Sequence, residues 1–272
     1  MSNFRAGCVQ VNATNDLMYN ITEAHRLGIE CIKEGADIIL YPENVLFMAR
    51  DSDDLKKNSY KEDAHKGIDF FQQFAQDNSK WVLVGSIAVS LSSGKLANRS
   101  FMINSDGDII ARYDKIHLFD VTLENGEKYF ESHNYQAGER VVVAKTRWVN
   151  FGLTICYDVR FPEFYRKFYQ SDVSVFAIPS AFTRVTGRKH WHTLIQARAI
   201  ETGSFVLAPA QTGNHPGGRK TFGHSLIVDP AGSIIKDAGE GVGFIIADID
   251  TDMVDSVRKS IPATKQNRRY NL

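Results

Sequence analysis

The stretch Phe151-Gly-Leu-Thr-Ile-Cys156-Tyr-Asp-Val-Arg-Phe-Pro-Glu163 changes character at its cysteine. Residues 151–156 read as a short strand. Beyond them, Pro162 is a favoured first helical residue and Glu163 suits a helix N-terminus. The pattern predicts a strand closing at Cys156 and a helix from about Pro162. The thiol would then stand on a strand-to-helix turn, where backbone N–H groups and a helix dipole lower its pKa. A structural cysteine needs none of that. Cys8, inside a strand, and Cys31, on a helix, read as core residues.

The same alternation of strand and helix continues in both directions. Residues 6–11 read as a strand. Residues 16–34 carry Leu17, Ile21, Ala24, Leu27 and Ile32 on roughly one helical face, with Gly35 where a helix C′ glycine belongs. Ile38-Ile-Leu-Tyr41 is a continuous apolar run, the signature of a strand covered on both faces. Residues 68–75 read as helix and 81–89 as strand. Asn104-Ser-Asp-Gly107 separates two apolar runs, 100–103 and 108–113, as a hairpin turn does, and Asp229-Pro-Ala-Gly232 does the same between 225–228 and 233–236. Strands are expected at 173–178, 204–208 and 243–249, and a helix at 190–202. The polar stretch 51–66 reads as a surface excursion. Neither a low-complexity linker nor a solenoid repeat interrupts the series. The expectation is an α/β fold of mixed sheets covered by helices, in one domain spanning 1–272.

Composition narrows the function. The chain has 272 residues, 43% hydrophobic and 24% charged, and 32 basic residues balance 32 acidic ones. That balance gives no general attraction to nucleic acid or an anionic membrane, so neither is expected as a partner. The basic run at 265–269 is expected to be solvated. Three cysteines do not make a disulfide framework and suit a reducing compartment. The N-terminus shows no apolar signal core and no stretch reaches membrane-span length, so a cytoplasmic location is expected.

Glu43 follows the run 38–41, Lys115 follows the strand at 108–113, and Cys156 closes the strand at 151–155. Ligands collect outside the carboxyl ends of strands in α/β sheets, so these three side chains could share one crevice. Tyr41-Pro-Glu43-Asn, Tyr113-Asp-Lys115-Ile-His-Leu-Phe119 and Gly152-Leu-Thr-Ile-Cys156-Tyr-Asp-Val-Arg-Phe-Pro-Glu163 together resemble the nitrilase superfamily of carbon–nitrogen hydrolases. The resemblance extends through Pro179-Ser-Ala-Phe-Thr183, His190-Trp191, Ala197-Arg-Ala-Ile-Glu201 and Gly223-His-Ser225, covering nearly the whole chain. It is nearest to the branch containing deaminated glutathione amidase and ω-amidase. It implies a four-layer α-β-β-α sandwich with two mixed sheets, assembled as a homodimer or higher homo-oligomer. It also implies Cys156 as nucleophile, Glu43 as general base and Lys115 as stabiliser of the tetrahedral intermediate. A second glutamate matches Glu131, with Glu124 and Glu127 as alternatives nearby. His192 stands where some relatives carry an acid, and Ala231 where a tryptophan is frequent.

The residue types define the chemistry. A thiol attacks an amide well only as the thiolate, so an adjacent base must take its proton. Glu43 can do so if burial and neighbours raise its pKa. Lys115 and the Tyr157 N–H are the expected oxyanion donors. Arg160 is a candidate grip for a substrate carboxylate, and Phe182 and Thr183 are candidate pocket walls. The expected activity is an amidase acting on carbon–nitrogen bonds other than peptide bonds, with a small amide as partner and no cofactor. A different substrate preference within the superfamily and a non-catalytic interaction protein on the same fold are the alternatives. A catalytic metal is disfavoured. His190 and His192 would point to different sides of a helix, and the histidine spacings match no zinc pattern.

Overall fold

The computed structural model describes residues 3–266, so most of the basic run at 265–269 lies outside the described residues. Two six-stranded sheets form its centre. The first runs, edge to edge, Gly243–Ile249, Phe4–Gln10, Ile38–Leu40, Trp81–Ser90, Leu96–Ile103 and Ile109–Asp114. Phe4–Gln10, Ile38–Leu40 and Trp81–Ser90 are parallel, and the outer pairings are antiparallel. The second runs Ile234–Asp237, Leu226–Val228, Phe205–Ala208, Val173–Ala177, Asn150–Leu153 and Val142–Lys145, again parallel at its centre and antiparallel outside.

The period of two along each strand explains the layering. Phe4, Ala6, Cys8, Ile38 and Leu40 of the first sheet share a buried cluster with Phe151, Leu153, Val175 and Phe205 of the second. Val9, Ile39, Tyr41, Val82 and Val84 turn the other way, toward Leu27 and Cys31 of helix Leu17–Lys33 and Phe71 and Phe74 of helix Lys66–Asn78. Trp191, Ile195 and Ala199 of helix Arg184–Thr202 pack on the second sheet. Each sheet is thus apolar on both faces, and the expected α-β-β-α sandwich results.

Gly85 matters for the site. The ladder between Trp81–Ser90 and Leu96–Ile103 shifts register between Val84 and Ile87. A Cβ on Gly85 would collide with the carbonyl oxygens of Tyr41 and Pro42, which lead into Glu43. Gly85→Ala is therefore expected to destabilise the chain by about 1–3 kcal/mol, read as a lower urea midpoint.

Some boundaries differ from the sequence reading. The strand Asn150–Leu153 stops short of Cys156, because the cysteine opens a 3-10 turn, Cys156–Arg160, before the short helix Pro162–Arg166. Helix Arg184–Thr202 starts earlier than expected, since the polar residues 184–189 carry little apolar period. Residues 51–66 contain the helix Ser52–Lys57, capped by Asp51 accepting from the Asp54 N–H. The hairpin Asp120–Thr122 with Lys128–Phe130, and strand Val142–Lys145, escaped the sequence reading. Among the described residues, no helix is long and apolar enough to cross a membrane.

Candidate active site

Ile155 is extended, and Cys156 then takes a left-handed backbone with φ of 46°. Its N–H donates to the Pro179 carbonyl at 3.0 Å. The fully buried Asp158 holds this strained turn. Its Oδ2 accepts from the Ile155 N–H at 2.8 Å and from the Tyr113 hydroxyl at 2.7 Å, and its Oδ1 accepts from the His117 N–H at 3.1 Å. One carboxylate thereby ties the cysteine turn to the segment that carries Lys115.

Glu43 is fixed at both ends. Its carbonyl accepts from Gln211 Nε2 at 3.0 Å. Its Oε1 accepts from Lys115 Nζ at 2.8 Å and Asn98 Nδ2 at 2.9 Å, and its Oε2 accepts from the Ala181 N–H at 2.8 Å. Lys115 Nζ also donates to Glu131 Oε2 at 2.9 Å. Glu131 accepts in turn from Asn98 Nδ2 at 3.0 Å and from the Phe119 N–H at 2.7 Å. One ammonium therefore sits between two carboxylates, and the Glu43 and Lys115 side chains are only 3% and 2% exposed. A charge is tolerated so deep only when it is paired and hydrogen-bonded.

The electrostatics follow from this arrangement. Burial opposes the positive charge on Lys115, but Glu131 and Glu43 override it and hold the amine well above its ordinary value. Burial likewise disfavours the Glu43 carboxylate, yet Lys115 and Arg219 outweigh it and keep the group ionised below the usual range. Cys156 goes the other way. Burial, and then the negative charge of Glu43, push the thiol far above its ordinary value. Both expectations for these groups are corrected. Burial first, and the Glu43 charge second, outweigh whatever the Cys156–Arg160 turn offers the thiolate, and Lys115 and Arg219 keep Glu43 ionised.

These side chains converge on a cavity of about 420 Å³. Glu43, Lys115, Glu131 and Cys156 all line it, together with Phe119, Tyr129, Tyr157, Phe182 and Thr183. Glu124 instead pairs with Lys189 on the surface, and Glu127 accepts from the Tyr129 hydroxyl and from Asn125. Of the three glutamates considered from sequence, Glu131 alone meets Lys115.

Arg160 stands against the cavity wall, beside the lining rings of Phe182 and Tyr157. Its guanidinium lies over the Phe182 ring at 5.0 Å, with His190 Nδ1 at 3.3 Å. The cavity's arginine is Arg219, which the sequence did not single out. Its Nη2 donates to the Ala181 carbonyl at 2.6 Å, its guanidinium lies 5.4 Å from the Tyr129 ring, and its buried Nε has no partner. Asn98, Gln211 and the Ala181 N–H were also missed. Nothing in the local sequence distinguishes Asn98 or Gln211 from ordinary polar residues, and Ala181, inside the stretch 179–183, acts through its backbone.

The carbon-nitrogen hydrolase family pattern matches residues 5–259. A deaminated glutathione amidase from Synechocystis is 39% identical over 267 residues, 97% of each chain. The omega-amidase NIT3 of Saccharomyces cerevisiae is 32% identical over 272 residues, covering 97% of this chain and 93% of the relative. The crystal structure of Saccharomyces cerevisiae Nit3, a member of branch 10 of the nitrilase superfamily, superimposes with a TM-score of 0.88 at 28% identity over 98% of this chain and 97% of that one. With the sandwich and this cavity in view, the chain belongs to the carbon–nitrogen hydrolase family, within the nitrilase superfamily.

Proposed function

We propose that this chain hydrolyses a small, carboxylate-bearing amide to the acid and ammonia through a thioester on Cys156. The observation that carries the reading is the meeting of Cys156, Glu43, Lys115 and Glu131 at one cavity. The resting thiol keeps its proton until a carbonyl is in place. As sulfur attacks, the S–H proton passes to Glu43 and negative charge develops on the carbonyl oxygen. Lys115 Nζ and the Tyr157 N–H are the donors for that charge, and one such donor is typically worth about 10²–10³-fold. Collapse breaks the C–N bond, Glu43 returns its proton to the departing amine, and ammonia leaves. Water, deprotonated by Glu43, then attacks the thioester and releases the acid and the thiol. Glu131 keeps Lys115 charged while Glu43 is protonated.

Arg219, on the cavity wall, joins Arg160 as a proposed grip on the substrate carboxylate. Arg219 lines the cavity, and its buried Nε has no partner. A charge-assisted hydrogen bond contributes about 1.5–3 kcal/mol, so Arg219→Gln is expected to raise KM for acidic amides by about 10–150-fold. Neutral amides should be affected far less, and equal losses on both classes would remove Arg219 from this role. Deaminated glutathione and ω-amides of keto-dicarboxylic acids both meet the description, as the names of the relatives suggest. The test is ammonia release from a panel of acidic and neutral amides and nitriles, with Cys156→Ala as control and chelator added.

We read residues 1–272 as one cytoplasmic hydrolase domain that works as a homodimer or higher homo-oligomer. Its unpaired cysteines support the reducing compartment. Exposed Ile200, on helix Arg184–Thr202, and Ile234 and Ile235, on the edge strand Ile234–Asp237, offer apolar surface for a second copy. Sedimentation velocity decides the oligomeric state.

A further inference from the structure

Three residues outside the catalytic cavity form a second cluster. His192 comes from helix Arg184–Thr202, His224 from the loop before strand Leu226–Val228, and Asp237 from the end of strand Ile234–Asp237. His192 Nε2 lies 2.9 Å from Asp237 Oδ2, and His224 Nδ1 lies 2.9 Å from Asp237 Oδ1. One donor atom from each residue falls within 4.8 Å of the other two. None of the three lines the cavity. We propose that His192, His224 and Asp237 bind one divalent d-block cation, of which Zn²⁺ is the type.

The surroundings hold the donors in place. The His224 N–H donates to the Gly239 carbonyl at 2.8 Å, and the His224 carbonyl accepts from Trp191 Nε1 at 2.7 Å. Its ring stacks on Phe222 with centroids 4.3 Å apart, and its backbone sits in the left-handed region with φ of 55°. A non-glycine residue in that region is held there by its neighbours and is over-represented at functional sites. Asp237 Oδ1 also accepts from the Gly239 N–H at 2.8 Å. The His192 ring meets the edge of Phe222 at 5.9 Å. These contacts fix the aim of both imidazoles, as outer partners do in metal sites.

The donor set selects the ion class. Two imidazole nitrogens and a carboxylate oxygen suit zinc, copper or nickel, whereas magnesium and calcium prefer oxygen alone. Bonds of about 2.0–2.1 Å in a tetrahedron put ligand atoms about 3.3–3.4 Å apart, so each hydrogen bond to Asp237 opens by only a few tenths of an ångström. Three protein donors leave a fourth position for water. The ion would fasten helix Arg184–Thr202, whose first turn adjoins cavity residue Thr183, to the edge of the second sheet.

The test uses tag-free, metal-stripped Cys156→Ala protein, which removes the thiol as a competing ligand. Calorimetric titration with zinc chloride should show saturable binding of one ion per chain, and zinc should raise the thermal midpoint. Asp237→Asn and His192→Gln, both close in shape to the originals, should each weaken binding by at least about 30-fold and remove the thermal shift. Cobalt should give visible d–d bands in the parent that both variants lose. Absence of saturable zinc binding tighter than about 100 µM overturns the proposal, as does equal binding by the parent and both variants.

Discussion

Cys156→Ala is expected to lower kcat on the best amide by about 10⁴–10⁶-fold and to leave the fold intact. The loss is large because the covalent route disappears with the sulfur. Glu43, Lys115 and Glu131 hold one another without the thiol, through bonds of 2.8–2.9 Å. The variant should therefore still bind substrate while making no acyl adduct. Denaturing mass spectrometry after rapid quench checks this directly. The parent should carry the acyl mass on the peptide containing Cys156, and the variant should carry none. An adduct on Cys8 or Cys31, or turnover by the variant within about tenfold of the parent, would remove Cys156 as nucleophile.

Glu43→Gln should move two observables in opposite directions. Turnover should fall by about 10²–10⁴-fold, because the group that carries protons in both half-reactions is gone. The thiol should nevertheless become more acidic. In the parent, burial and the Glu43 charge both hold the proton on sulfur, while Lys115 opposes them. Glutamine removes the negative neighbour and leaves the ammonium, so the balance shifts toward thiolate. Iodoacetamide labelling of Cys156 should then rise at a lower pH than in the parent, though still above the range of a solvated cysteine because burial persists. A variant that labels more slowly and also turns over more slowly would point to a collapsed site, and one that keeps parental turnover would end the general-base role.

Much of the architecture was legible because its signals are local. The continuous apolar run at Ile38–Leu40 marks a strand buried on both faces, and both faces are in fact covered. The turn at residues 104–107 and the glycine at 35 stand where the structure bends, with φ of 87° at Gly107 and 88° at Gly35. What failed was set by distant packing. The charges around Cys156 come from residues far apart in sequence, so neither the raised thiol nor the ionised Glu43 could be read from the motif. Arg219 enters the cavity through its contact with the Ala181 carbonyl, 38 positions away. The second glutamate was narrowed to three, and only the reach of Lys115 separates Glu131 from its neighbours.

The left-handed backbone at Cys156 has a consequence for anyone improving this chain. A side chain there costs about 1–2 kcal/mol that glycine would not incur. Directed evolution scored on heat resistance alone puts no value on that strained thiol and is free to trade it away for an inert molecule. Any such library needs turnover as a simultaneous criterion, since robustness and reactivity compete at this single position.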